Sequence, residues 1–318
     1  MVASTSDVFS GIWNPAKLVE VDTAWAQIGY MHVFDGLYNY DVAGISFPSS
    51  RQHAMSVSAV RYGVDDIINS LDFVDENGTP RPENLTLFSV ADYAAFVTYS
   101  RRHRRKRIQY GGSVKVIHRS AGEFAKAWGA GMDFGFCYYS RSTNFQLGAI
   151  LKNAFGTYTA WNFTFTDKQV TELLETGNEI PGDGSVEATT PTLVLGGQYR
   201  FPIGRVTLSP ELNIDVTFDG RRNVLVSADP VSADPHIGLE VGYYDALFFR
   251  GGIYNVQEIT GKDDIESGKQ WTVQPSVGAG VKMPGFELDY ALTQFDFREE
   301  LTHLLTLKLG FLKPEKDK

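Results

Sequence analysis

The chain has 318 residues, a net charge of −9, one cysteine, and 43% apolar and 13% aromatic residues. The acidic balance argues against a nucleic-acid binder, which would carry a basic face, and the lone Cys137 excludes an intrachain disulfide. No apolar run approaches the roughly 20 residues of a membrane-crossing helix, but a crossing strand needs apolar side chains only at alternate positions, a condition this composition meets.

Residues 1–24 precede any regular alternation and contain Trp13, Asn14, Pro15, Ala16 and Lys17. Pro15 disfavours helical geometry at Asn14, and an asparagine there can turn or cap the backbone. Fourteen segments with period-two alternation follow, at 25–34, 39–47, 53–62, 91–100, 107–118, 126–139, 143–152, 190–201, 205–218, 235–243, 246–258, 269–283, 286–297 and 301–312. The alternation is plainest in the sixth, ninth and twelfth. In the ninth, Val206, Leu208, Leu212, Ile214 and Val216 interleave with Thr207, Ser209, Glu211, Asn213 and Asp215. In the sixth, Trp128, Ala130, Met132, Phe134 and Phe136 interleave with Gly129, Gly131, Asp133, Gly135 and Cys137. Most of these segments meet or exceed the roughly 9–11 residues of a tilted spanning strand. A polar tail, 313–318, ends the chain.

The breaks between segments follow a rhythm. Those at 49–52, 102–106, 141–142, 202–204, 245 and 284–285 are tight, and those at 64–90, 153–189, 219–234 and 259–268 are long. Every long break follows an odd-numbered segment. In an antiparallel meander alternate connections lie at opposite ends, so this spacing puts short turns at one end and long loops at the other. That is the signature of an outer-membrane barrel. The expectation is an all-β chain: a 14-stranded antiparallel transmembrane β-barrel over 25–312, with residues 1–24 as an N-terminal plug. Aromatic residues near segment ends, including Trp25, Phe34, Tyr38, Tyr40, Tyr62, Tyr99, Tyr199, Phe201, Tyr243, Trp271 and Phe311, read as headgroup-level girdles. No signal peptide is visible at residues 1–4, so a longer precursor is expected.

Charged residues on the polar faces are Lys115, Asp133, Arg200, Glu211, Asp215, Glu240, Arg250, Lys282, Glu287, Asp289 and Lys308. A charge facing lipid at the midplane costs about 2–4 kcal/mol, so these are expected to face the lumen and pair there. The densest charge run is Arg101, Arg102, His103, Arg104, Arg105, Lys106 and Arg107. It falls at the short-turn, periplasmic end, where it is expected to be a solvated turn or a contact for lipid phosphates or an acidic partner. The loops at 67–87 and 166–189 are the expected sites of protein contact, with a helical turn at 169–175. No nucleophile elbow, zinc-binding helix motif, phosphate loop or paired-cysteine motif is present. No enzyme activity, metal or cofactor is expected, and outer-membrane lipid is the expected surroundings.

The Asn14-Pro15-Ala16 triplet ahead of fourteen strands resembles the FadL superfamily of outer-membrane barrels. The string from Thr5 through Lys17, the glycine-rich segment at 129–135 and the segment at 147–153 are similar to its PorV/PorQ branch. The resemblance implies that residues 1–24 fold back as a hatch, with Trp13, Asn14, Pro15 and Ala16 as its anchor. It further implies an accessory role in type IX protein secretion, binding cargo signal domains or translocon components. The alternative is a FadL-like channel for hydrophobic small molecules, which requires an apolar path from the loops into the lumen. A glycine-rich wall at 129–135 permits either a kink or tight lumenal packing.

Overall fold

The computed structural model describes residues 1–21, 23–33, 38–70, 73, 79–140, 143–175, 177, 184–260, 269–294 and 301–312. One antiparallel sheet closes on itself, because the first and last strands pair from Ala24↔Leu312 to His32↔His303. The barrel has fourteen strands. They are β1 (Ala24–Val33), β2 (Tyr38–Ser50), β3 (His53–Asn69), β4 (Thr86–Arg102), β5 (Ile108–Ala121) and β6 (Ala125–Tyr139). Next come β7 (Phe145–Lys152, resuming at Thr157–Phe163) and β8 (Val186–Thr189, Thr192–Tyr199 and Phe201–Ile203). The last six are β9 (Val206–Thr217), β10 (Ser232–Tyr243), β11 (Leu247–Thr260), β12 (Lys269–Met283), β13 (Phe286–Gln294) and β14 (Leu301–Leu312). Among the described residues no helix is long and apolar enough to cross a membrane; the strands account for the architecture.

Period-two alternation sets which face each residue occupies. Outward side chains form an apolar belt around the wall, including Ile28, Val57, Val97, Val116, Phe134, Leu147, Leu212, Phe249, Val277 and Leu305, all substantially exposed. A soluble monomer does not carry an apolar surface of this extent; bilayer hydrocarbon accounts for it. Inward side chains are small or polar, and many are buried against the N-terminal segment: Ser46, Ser56, Ser58, Thr98, Ser100, Ser113 and Asn213.

Three expectations need correction. The long breaks at 64–90 and 153–189 are shorter than their turn residues suggest. Asp66 (φ 59°) marks an irregularity in the β3–β4 ladder, which resumes with Ile67↔Phe88 and reaches Asn69↔Thr86. Asn153 (φ 52°) and Gly156 (φ 81°) interrupt β7 without ending it, because Thr157–Phe163 pairs again with β6. Turn-forming residues here make bulges, and bulged strands continue. The girdle reading also fails on β1 to β3. Trp25 and Tyr40 pack on the N-terminal segment, and Tyr62 pairs with Tyr40 across β2–β3, so these rings face inward. Tyr38 stacks on Tyr62 with ring centroids 5.8 Å apart. Phe34, the 141–142 turn and the 313–318 tail lie outside the described residues, whereas the helical turn expected at 169–175 is present as a helix over Asp167–Glu175.

Candidate functional site

The lumen is shaped from below by the N-terminal segment. A short helix, α1 (Ser10–Trp13), leads into a 3-10 helix over Pro15–Glu20. Asn14 adopts extended geometry (φ −160°, ψ 103°), as a residue before proline must. Its Oδ1 accepts from Ala16 N at 3.1 Å, capping the 3-10 helix. Its Nδ2 donates to Val2 O at 2.8 Å, to Phe136 O at 3.4 Å and to Cys137 Sγ at 3.3 Å, tying the segment to β6. Pro15 and Ala16 are buried. Trp13 is 45% exposed, with Lys152 Nζ 5.7 Å from its ring centroid.

The barrel wall supplies the remaining anchors. Ser113 Oγ donates to Gly11 O at 3.0 Å and Ser100 Oγ to Ala16 O at 2.9 Å. Asn213 Oδ1 accepts from Val2 N and Glu211 Oε1 from Ala3 N, both at 3.0 Å. Lys17 is buried, with Nζ donating to Glu20 at 2.6 Å and Gln146 at 3.2 Å. Glycines on the inner wall let the backbone approach. A Cβ at Gly135 would lie 2.2 Å from Asn14 Oδ1, and one at Gly111 2.6 Å from Pro15 O. The glycine-rich stretch of β6 therefore serves tight packing. Val8 and Phe9 are buried against Val42 with Ile12, Trp25, Tyr40 and Val60 around them, worth about 1.5–3 kcal/mol for each fully buried apolar side chain.

The charged residues read as lumenal fall into separate groups. Lys115 Nζ meets Asp133 Oδ1 at 2.8 Å and Asn153 Oδ1 at 2.5 Å, and Asp133 also accepts from Asn153 N at 2.7 Å. This cluster anchors the β7 bulge from inside, and Asn153 is the member that strand patterning did not reveal. On the opposite wall Arg250 bridges Glu240 at 2.7 Å and Asp289 at 2.6 Å. Lys308 meets Glu287 at 2.7 Å, and Lys282 meets Glu287 at 3.2 Å. Asp215 lies 3.8 Å from His236 Nδ1. Arg200 is the exception. It has inward parity but stands exposed in a break of β8 at the short-turn end, with only its backbone N donating to Asn144 O at 3.0 Å among the described backbone bonds. A strand end has no lumen left to face.

Above the N-terminal segment, the inner face of the long-loop end is divided by chemistry. On β4 to β7 it is aromatic. Phe163 and Trp161 sit opposite buried Ala125 and Ala127, which places both rings inward. Ring centroids step from Trp161 to Phe163 (6.1 Å), Phe165 (6.2 Å), Phe124 (6.1 Å) and Phe88 (5.3 Å, edge-on). Arg119 closes this row, 5.0 Å over Trp161 and paired with Asp92 at 2.9 Å and Glu187 at 2.7 Å. On β9 to β11 the same level is polar, with a cavity of about 330 Å³ lined by Asp215, Thr217, Arg222, Ser232, Asp234 and Asn255. Outside the barrel, an apolar groove of about 680 Å³ runs over β7, β8 and β9 where Ala149 and Gly197 sit among Phe136, Leu147, Leu195 and Leu212. Its inner side is Gly148 and Gly196, against which Val2 packs. Among the described residues no group of histidine, cysteine and acidic side chains is arranged to hold a metal ion.

At the level of sequence, no family model and no curated protein matches the chain. Solved structures do. The toluene transporter TodX of Pseudomonas putida superposes with a TM-score of 0.58 at 14% identity, covering 98% of this chain and 96% of that one. The toluene transporter TbuX of Ralstonia pickettii gives 0.56 at 13%, covering 96% and 94%. A FadL homologue of Pseudomonas aeruginosa gives 0.55 at 11%, with the same coverage. From end to end, this chain has the fold of the FadL-type transporter barrels.

Proposed function

We propose that this chain is an outer-membrane channel for hydrophobic small molecules, taken in at the long-loop end. The observation that carries the reading is the row Trp161, Phe163, Phe165, Phe124 and Phe88, continuous from the inner face of β7 to β4 at the long-loop end. Aromatic faces bind apolar solutes through offset and edge-on contacts, and small-molecule sites are concave, mostly apolar and oriented by a few polar groups. Arg119 with Asp92 and Glu187 supplies such groups at one edge. Two barrels of the same fold are toluene transporters, which fits this substrate class. The chain needs no catalytic residue for this role.

The N-terminal segment obstructs the way through, so passage requires it to shift or the solute to leave sideways. The test is uptake of radiolabelled toluene or a long-chain fatty acid by a Gram-negative host lacking its own hydrocarbon channels. Trp161→Ala with Phe163→Ala should lower uptake about tenfold, on the scale of 0.5–1.5 kcal/mol per aromatic contact, with barrel abundance unchanged. Uptake indistinguishable from an empty host would refute the channel. Co-purification of exported proteins sharing a C-terminal domain would instead favour the role in type IX secretion.

A further inference from the structure

The turn between β4 and β5 concentrates six of the chain's 29 cationic side chains within residues 101–107, in a protein whose net charge is −9. The turn is built, with His103 Nδ1 accepting from Arg105 N at 3.2 Å and Lys106 N at 3.0 Å. Arg101, Arg104, Arg105 and Lys106 are exposed. None of them forms an ion pair with a described residue. Repulsion among them is therefore uncompensated among the described residues, and an external anion would relieve it.

Position selects the anion. Arg101 sits opposite Tyr110 and His53 in the ladders, so it shares the outward face with them. Tyr110 and Tyr99 are outward and exposed, with Tyr99 Oη 2.6 Å from His53 Nδ1. Tyrosines on an outward strand face just inside the wall's end mark the headgroup level, and Arg101 stands at that level on the lipid side. A soluble acidic protein reaches Arg101 only by entering the headgroup layer. We infer that Arg101, Arg104, Arg105 and Lys106 form a binding site for the phosphodiester of an anionic phospholipid in the periplasmic leaflet, with the fork-shaped guanidinium groups matching phosphate oxygens. The inference rests on the bilayer embedding of the barrel and is independent of what the lumen carries.

The test titrates the purified full-length barrel in non-ionic detergent with fluorescent phosphatidylglycerol, followed by anisotropy. Phosphatidylcholine, a polyglutamate peptide and glycerol phosphate serve as competitors. The wild type should bind phosphatidylglycerol at least about tenfold more tightly than phosphatidylcholine, and the excess should fall as salt rises. The variant Arg101→Gln/Arg104→Gln/Arg105→Gln/Lys106→Gln should lose that preference while keeping heat-modifiable gel migration. Equal binding of the two lipids by the wild type overturns the proposal, whatever the variant does. Retained preference in the folded variant overturns it too. Displacement of the lipid by polyglutamate or glycerol phosphate at comparable concentration would reassign the site to an acidic protein or a free phosphate.

Discussion

Asn14 shows how one side chain seats a whole segment. It caps the following 3-10 helix and reaches Val2, Phe136 and Cys137 with the same amide. Asn14→Ala should cost about 1 kcal/mol for the lost cap and more for the contacts across to β6. Limited proteolysis near residue 14 should accelerate while the barrel stays intact. Asp133 is the second such residue. With its side chain 3% exposed and that of Lys115 11% exposed, Asp133→Ala leaves a buried ammonium and should destabilise by about 3–5 kcal/mol. Asp133→Asn should cost less, because an amide oxygen can still accept from Asn153 N. The thermal midpoint of the fold-dependent gel shift reads both.

At the scale of elements, the N-terminal segment and the bulged strands matter most. The inner glycines admit the segment's backbone, so Gly111→Leu, which would drive a side chain into Pro15 O, should displace it and raise leak of small hydrophilic solutes through reconstituted barrels. A leak equal to that of the wild type would mean that the segment does not fill the lumen. Asp7 gives this element a pH dependence. Burial pushes its carboxyl pKa up, against the opposing pull of the Lys308 ammonium and a 3.3 Å contact with Gln27. A carboxyl raised on docking binds its proton more tightly docked than free. Its contribution is therefore full below the ordinary carboxylate range and lost as pH rises through the docked value. Protease protection of residues 1–21 should decline as pH rises through that window, and Asp7→Asn should flatten the dependence. A decline that persists in Asp7→Asn would assign it to another group. The bulges explain a misreading: Asn153 and Gly156 carry turn chemistry, yet the ladder with β6 resumes beyond them. Trp161 and Phe163 therefore fall within a long break of the alternation, and the aromatic row is not legible in the sequence.

At the scale of the whole molecule, closure decides what the lumen is. The sheet closes β4–β7 and β9–β11 around one lumen, giving an aromatic sector and a polar sector at the long-loop end. The folded chain should fractionate with outer membranes and migrate faster on gels unheated than boiled. Recovery in the soluble fraction would contradict the apolar belt as a lipid surface.

Strand number, antiparallel order, the segregation of short and long connections, and the inward parity of Lys115, Asp133, Glu211 and Arg250 were all legible in the amino-acid order. Each depends on alternation along a single strand, a local property of extended backbone. The meeting of Arg250 with both Glu240 and Asp289, the grip of Asn14 on β6, the inward turn of Tyr38 and Tyr62, and the row from Trp161 to Phe88 were decided only by the tertiary structure. Period two separates two faces but does not name the inner one where a strand outruns the membrane. Contacts across a lumen are set by the closure of strands distant in sequence.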